Sequence, residues 1–252
     1  MKHFFVTDRG RVRPHNEDSV GVFENDYEQL LTVVADGMGG HKAGDVASEM
    51  VITYFKDAWA SSERIQSQEE AESWLTHHIQ QANHTVYDYS RTNPECLGMG
   101  TTTIAVISFS DTFVIAHIGD SRCYLYQADA LHQITDDHSL VNELVRSGQI
   151  TKADAEIHPQ KNVLTQALGT DSSITPDVYS KEWSNKDRIL ICTDGLTNKI
   201  DDDHLKQYLS LEQSLETIAN QLVEEANVNG GEDNITVAIL ENDDLKAGES
   251  TC

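Results

Sequence analysis

Four aspartates stand where short apolar runs end or begin, and oxygen chemistry is the first question they raise. Asp36 follows the run from Leu30 to Ala35 and precedes Gly37; Asp194 follows the run from Ile189 to Thr193 and precedes Gly195. Asp120 follows Val114-Ile115-Ala116-His117-Ile118-Gly119, and Asp233 stands just before Asn234 and the run from Ile235 to Leu240. A single Asp-Gly is a turn signal and nothing more. Four acidic residues at strand mouths are different, because strands that share one end of a sandwich bring them together. Two carboxylates ~5 Å apart repel by roughly 3 kcal/mol at an effective dielectric of about 20. Such a cluster therefore requires protons or cations. Carboxylates and backbone carbonyls, with no His or Cys set at zinc spacing, suit Mg²⁺ or Mn²⁺. His77-His78 falls in the middle of a helical pattern and reads as a surface pair.

The stretch "VVADGMGGHKAGD" (Val33–Asp45) also invites a phosphate-loop reading, and it fails that test. Gly39 and Gly44 have the Walker A spacing, but Asp45 and Val46 stand where Lys and Ser or Thr are needed. The dinucleotide pattern fails at Lys42, which occupies the third glycine position. What the glycines do offer is close backbone approach, so the Gly37 carbonyl is itself a candidate ligand. Covalent devices are absent as well. Six residues after Cys96, Cys123 and Cys192 come Thr102, Asp129 and Asn198, so no Cys-x5-Arg phosphatase loop exists. Cys192 stands where a phospho-aspartyl enzyme places its nucleophile, and no Gly-x-Ser-x-Gly elbow occurs. With no covalent nucleophile in view, metal-activated water is the leading mechanism.

The elements that must position these residues show in the periodicity. Three helical stripes are clear: Val46 to Ala58, Ala71 to Val86 behind a Ser67/Glu70 capping box, and Leu215 to Ala226 ahead of Asn229-Gly230-Gly231. Short β-branched runs cover Leu30–Ala35, Thr103–Ser108, Phe113–Ile118, Cys123–Tyr126, Arg188–Cys192 and Ile235–Leu240. Helices and strands do not alternate regularly, which favours antiparallel sheets with packed helices over a doubly wound sheet. No repeat or Pro/Ser-rich linker interrupts the chain. One domain over residues 1–241 is expected, with a disordered tail from Asn242 to Cys252.

Composition narrows the function classes. The 252 residues carry a formal net charge of −24, a poor balance for coating nucleic acid or anionic lipid. The four cysteines are scattered without a CxxC pair, which suits reduced thiols in a cytoplasm. No apolar stretch approaches the length of a membrane span, and the first residues are too polar for a leader peptide.

Taken in order along the chain, the motifs resemble the metal-dependent Ser/Thr protein phosphatases of type 2C. The resemblance runs through "RPHNEDS" (Arg13–Ser19), "VVADGMGGHKAGDVAS" (Val33–Ser48), "GMGTT" (Gly98–Thr102) and "AHIGDSRCY" (Ala116–Tyr124). It continues through "DDHSLVNELVRSGQI" (Asp136–Ile150), "HPQKNVLTQALG" (His158–Gly169), "CTDGLTN" (Cys192–Asn198) and "GGEDNITV" (Gly230–Val237). The version here is similar to the free-standing bacterial enzymes that oppose a membrane-anchored Ser/Thr kinase.

That resemblance implies an α+β fold, a four-layer α-β-β-α sandwich of two packed antiparallel sheets flanked by helices. It implies a protein serine/threonine phosphatase whose attacking hydroxide is shared by two divalent metals, Mn²⁺ or Mg²⁺, ~3.5–4 Å apart. By position, Asp36 would bridge both ions, the Gly37 carbonyl would serve one, and Asp194 and Asp233 the other. Glu17 or Asp18 would approach the first ion directly or through water, and Asp120 matches the site of a third, weaker ion. Arg13 matches the arginine that grips the substrate phosphate with its planar fork. Some relatives place a proton-donating His directly after the first Asp-Gly; here that residue is Met38, which leaves water or His41 as the acid. The segment from Asp136 to Gly169 resembles a flap beside the cleft that touches protein substrates. Implied partners are phosphoproteins including a cognate Ser/Thr kinase, met by a cytoplasmic monomer. The rivals are a pseudophosphatase that only binds, which would lack ligands such as Asp36, Asp194 and Asp233, and a hydrolase of another phosphate ester.

Overall fold

The computed structural model describes residues 1–39 and 43–243. Its chain opens with two strands, β1 (Lys2–Asp8) and β2 (Asp18–Glu24), before the expected β3 (Leu30–Met38). Two long helices follow, α1 (Ala43–Ala60) and α2 (Gln68–Thr92). Next come β4 (Gly100–Thr101), β5 (Thr103–Ser108), β6 (Thr112–Ile118), β7 (Arg122–Gln127) and β8 (Ala130–Gln133). Short helices α3 (Leu140–Arg146) and α4 (Lys152–Glu156) precede β9 (Asp177–Glu182) and β10 (Arg188–Cys192). The chain closes through α5 (Asp194–Thr197), α6 (Asp202–Leu209), α7 (Leu215–Val228) and β11 (Ile235–Glu241).

All strand pairings are antiparallel, in the orders β1-β11-β10-β7-β8 and β2-β3-β5-β6-β9, with β4 on β3. Alternation along the central strands explains the layering. Leu31, Val33 and Ala35 of β3 pack into one core with Val51 and Phe55 of α1 and Leu75 and Ile79 of α2. Leu30 and Val34, pointing the other way, enter a core shared with Ile189 and Ile191 of β10 and Ala238 and Leu240 of β11. On the far side, Leu190, Ile235, Val237 and Ile239 meet Ile218, Leu222 and Ala226 of α7. A strand buried on both faces reads as a continuous apolar run, as these do. The result is the four-layer α-β-β-α sandwich.

Local signals end the helices where the sequence suggests. Ser67 caps α2 by accepting the Glu70 N–H at 3.2 Å, but the Glu70 carboxylate reaches Gln66 N at 2.7 Å, one residue earlier than a full capping box requires. Helix α7 stops where Gly231, at φ 56°, donates its N–H back to the Ala226 carbonyl at 3.1 Å. One boundary moves. Asn242, placed above in the tail, is 1% exposed and exchanges backbone bonds with Lys186 and Asp187, and Asp243 pairs with the N-terminal amine at 2.8 Å. Asn242 thus carries the end of β11 on against the residues ahead of β10, and Asp243 meets the start of the chain, so the packed chain extends past residue 241; residues 244–252 lie outside the described residues.

Candidate metal centre

Register brings the acidic residues to one end of the sandwich. Asp18 opens β2 directly opposite Asp36 on β3. The Asp36 backbone is fixed from both sides: its N–H donates to Thr102 Oγ1 at 3.0 Å, and its carbonyl accepts from Thr102 N and Thr101 Oγ1, each at 2.8 Å. Thr102 Oγ1 also meets Ser121 Oγ at 2.8 Å, which ties the Asp36 strand to the turn carrying Asp120. From the other sheet, Asp194 starts α5 two residues past the end of β10, and Asp233 lies two residues ahead of β11. The two approach closely because Gly195 has no side chain; a Cβ there would run into the Asn234 carbonyl.

Arg13, Glu17, Asp36, Gly37, Asp120, Asp194 and Asp233 line one cleft of about 580 Å³. Asp18 lies beneath it, 6% exposed. His41 lies outside the described residues. Glu17 and the Gly37 carbonyl are neighbours under the first turn of α1, where a Cβ on Gly44 would come within 2.8 Å of both the Glu17 carboxyl carbon and the Gly37 oxygen. The glycine in the first turn of α1 therefore opens an oxygen-lined cradle. Arg13 sits at the rim, its Nη2 donating to Asp233 Oδ2 at 2.7 Å.

Electrostatics identify what the cleft needs. Burial, then the charges of Asp18, Asp194, Asp120 and Asp233, push the Asp36 carboxyl well above the usual range. Burial pushes Asp18 up to about 7, against the opposing hydrogen bonds from Thr236 and Thr193. Asp120 rises to about 7 through burial and the neighbouring Asp194, and Asp194 to about 6 through burial and Asp233. Glu17 also rises, chiefly through burial. Ionised together, these groups call for cations.

The donor set fits divalent ions. Asp18 Oδ1 is buried without a hydrogen-bond partner, an orphan that a cation or its water would satisfy. Among the described residues no three His, Cys, Asp or Glu side chains surround one point as a finished cage. A hard ion of the Mg²⁺ type does not require one, since it keeps several waters and takes one or two carboxylates.

The cleft has a second wall that the sequence placed only as a flap. The segment from Asn162 to Ala167 lines it, along with Thr170 and Asp171. Its root is pinned by an isolated bridge between Ser139 and Leu164, by Thr165 N donating to the His138 carbonyl at 2.8 Å, and by a two-pronged Arg122–Asp137 ion pair at 2.7–3.2 Å.

Sequence reasoning missed Asn234. Its Oδ1 accepts the Glu17 N–H at 2.8 Å, while Nδ2 donates to the Arg9 and His15 carbonyls at 2.8 and 2.9 Å. One amide thus pins the loop that carries Arg13 and Glu17 against the Asp233 turn. The only available signal was its place inside "GGEDNITV", a polar residue at a strand entrance.

A family model described as Protein phosphatase 2C matches residues 9–233. A serine/threonine phosphatase, stp, of Listeria monocytogenes serotype 4b is 46% identical over 244 residues, which are 97% of each chain. The crystal structure of serine/threonine phosphatase Stp1 from Staphylococcus aureus superposes with a TM-score of 0.91 at 40% identity, covering 95% of this chain and 94% of that one. The catalytic domain of the phosphatase PstP, solved with two manganese ions, superposes with a TM-score of 0.83 at 32% identity, covering 95% and 97%. A family match of this extent, joined by relatives that align along nearly their whole length, places the chain in the protein phosphatase 2C family.

Proposed function

We propose that this enzyme, a metal-dependent serine/threonine phosphoprotein phosphatase, holds its ions with Asp36, the Gly37 carbonyl, Asp194 and Asp233. Asp120 would serve a third, weaker ion, and Glu17 and Asp18 support the side nearest α1. The convergence of these carboxylates from two sheets into one cleft is the observation that carries the reading. Bound there, Mn²⁺ or Mg²⁺ would make water a competent nucleophile near neutral pH and offset charge on the phosphoryl oxygens.

The chain's own residues do the rest. Arg13 meets the substrate phosphate: Nη2 holds Asp233, while Nε and Nη1 make no hydrogen bond among the described residues. A guanidinium can thus bridge a metal-binding carboxylate and a phosphate at once. The departing seryl or threonyl oxygen needs a proton. Met38 has none to give, so solvent or His41 supplies it. Phosphoproteins are the substrates on this reading, a cognate Ser/Thr kinase among them, in the cytoplasm.

The test is dephosphorylation of a phosphothreonine peptide titrated with Mn²⁺ and quenched with chelator, beside Asp36→Asn. Turnover should require metal and collapse in the variant. Metal-independent turnover, or a fully active Asp36→Asn, would sink the assignment. Bound metal without turnover would return the pseudophosphatase.

A further inference from the structure

Asp18 is gripped by hydroxyls from two separate parts of the chain, both acting on one oxygen, with a third hydroxyl behind one of them. Thr193, just past β10, and Thr236, in β11, both donate to Asp18 Oδ2, at 2.9 and 2.7 Å. Thr236 Oγ1 lies 2.7 Å from Thr7 Oγ1, its register partner on β1, and Asn16 Nδ2 donates to Thr7 Oγ1 at 2.8 Å. Thr193 Oγ1 in turn accepts the Thr236 N–H at 3.0 Å.

The direction of this chain follows from proton counting. A hydroxyl has one proton, and an ionised carboxylate only accepts. The Thr236 proton goes to Asp18, so Thr7 must be the donor between the two threonines. Thr7 then accepts from Asn16, whose amide nitrogen only donates. Every proton therefore points towards Asp18 Oδ2, while Oδ1 on the same carboxylate is buried and bare.

Strand packing does not ask for this. Thr193 and Thr236 are both fully buried, where valine has the same shape and no polar atom to satisfy. Hydroxyls at these positions make sense if Asp18 must be held as an anion with one oxygen left over. We propose that Thr236 and Thr193, with Thr7 and Asn16 behind them, are positioning residues that hold Asp18 by Oδ2 and present Oδ1 to a divalent cation or to water on it. The proposal rests on the metal-centre reading above and adds the residues that orient one of its members. Ligand-orienting partners of this kind typically change metal affinity by ~10–100-fold when removed.

Calorimetric titration of the metal-stripped full chain with Mn²⁺ tests it without relying on turnover. Thr236→Val should weaken binding by ~10–100-fold, and adding Thr193→Val should weaken it further. Thr236→Ser, which keeps the hydroxyl and loses the methyl, should bind close to wild type. Thr7→Val should have a smaller effect, because Thr236 can still donate. Near-UV circular dichroism of each metal-free variant reports the fold. Wild-type affinity in the double valine variant would overturn the relay and leave the metal centre standing. A serine variant as weak as the valine variant would also overturn it, since packing and not the hydroxyl would then be at work. Failure of the wild-type chain to bind Mn²⁺ would overturn the metal centre itself, and the relay with it.

Discussion

Arg13 and Asp233 are 220 positions apart in sequence and 2.7 Å apart in space, and their pairing decides what an Arg13 variant should do. The Asp233 partnership is the main reason the guanidinium is held firmly charged, ahead of the more distant Glu17 and Asp36. Lysine has one compact charge and no fork, so it can serve Asp233 or a phosphate but not both in plane. A hydrogen bond to a charged group contributes about 1.5–3 kcal/mol. Arg13→Lys should therefore lower kcat/KM on a phosphothreonine peptide by roughly 10–100-fold, read from steady-state kinetics at saturating Mn²⁺. An unchanged kcat/KM would remove Arg13 from the substrate site. At this scale the sequence was most informative about acidic residues, because four aspartates at strand mouths, unlike one in a turn, have few structural uses together. It was silent on Asn234 and on Thr193 and Thr236. Polar residues at strand ends are common, and only three-dimensional convergence gives them a target.

Two elements shape the cleft by opposite means, one by lacking a side chain and one by adding chain. At the start of α5, Gly195 lets Asp194 lie against the Asp233 turn. Gly195→Ala must push these apart, at the ~1–3 kcal/mol typical of overpacking. Its melting temperature should fall by several degrees, and Mn²⁺ binding should weaken alongside. Retained stability and affinity would show that the turn can yield. The flap, in contrast, stands on anchors at its root, with α3 and α4 between them. Replacing residues 140–163 with a relative's flap while keeping Asp137, His138 and Leu164 should alter peptide preference and spare hydrolysis of a small aryl phosphate. Loss of aryl phosphate turnover with peptide preference unchanged would count against the flap as the selecting element. Elements with both faces buried were legible: β5 and β10 span the same residues in sequence pattern and in structure. Strands β1 and β2 were not, since β1 is an edge with exposed Lys2, His3 and Phe5, and β2 is broken by Gly21. Helices α3 and α4 are too short to show a stripe.

For the whole molecule, the acidic cluster makes stability depend on pH and metal together. Asp18 and Asp120 rise from 3.8 to about 7, Asp194 to about 6, and Asp36 higher than the ordinary range. A carboxyl with a raised folded pKa binds more protons folded than unfolded, so stability falls as pH climbs from the unfolded value through the folded one. Two histidines, His117 buried and His78 half-buried, work in the other direction. His78 and His117 drop from 6.5 to about 4, so the unfolded chain binds more protons between those values and stability rises with pH there. The two effects oppose each other below 6.5; above it, the raised carboxyls outweigh the fading histidine contribution. The metal-free protein should therefore lose melting temperature as pH rises from 6.5 through about 7, the range set by those histidines and by Asp18 and Asp120. On the proposed site Mn²⁺ would bind the ionised cluster, so its stabilisation, which grows with ligand over dissociation constant, should increase over the same range. General self-repulsion from the net charge of −24 is the competing cause, and salt separates them. Ionic strength screens exposed charges and largely spares buried ones. Thermal melts with chelator or Mn²⁺, at low and high salt across this range, give the answer. A metal-free melting temperature that stays flat, or a pH slope abolished by salt alone, would place the strain on the surface and not in the metal centre.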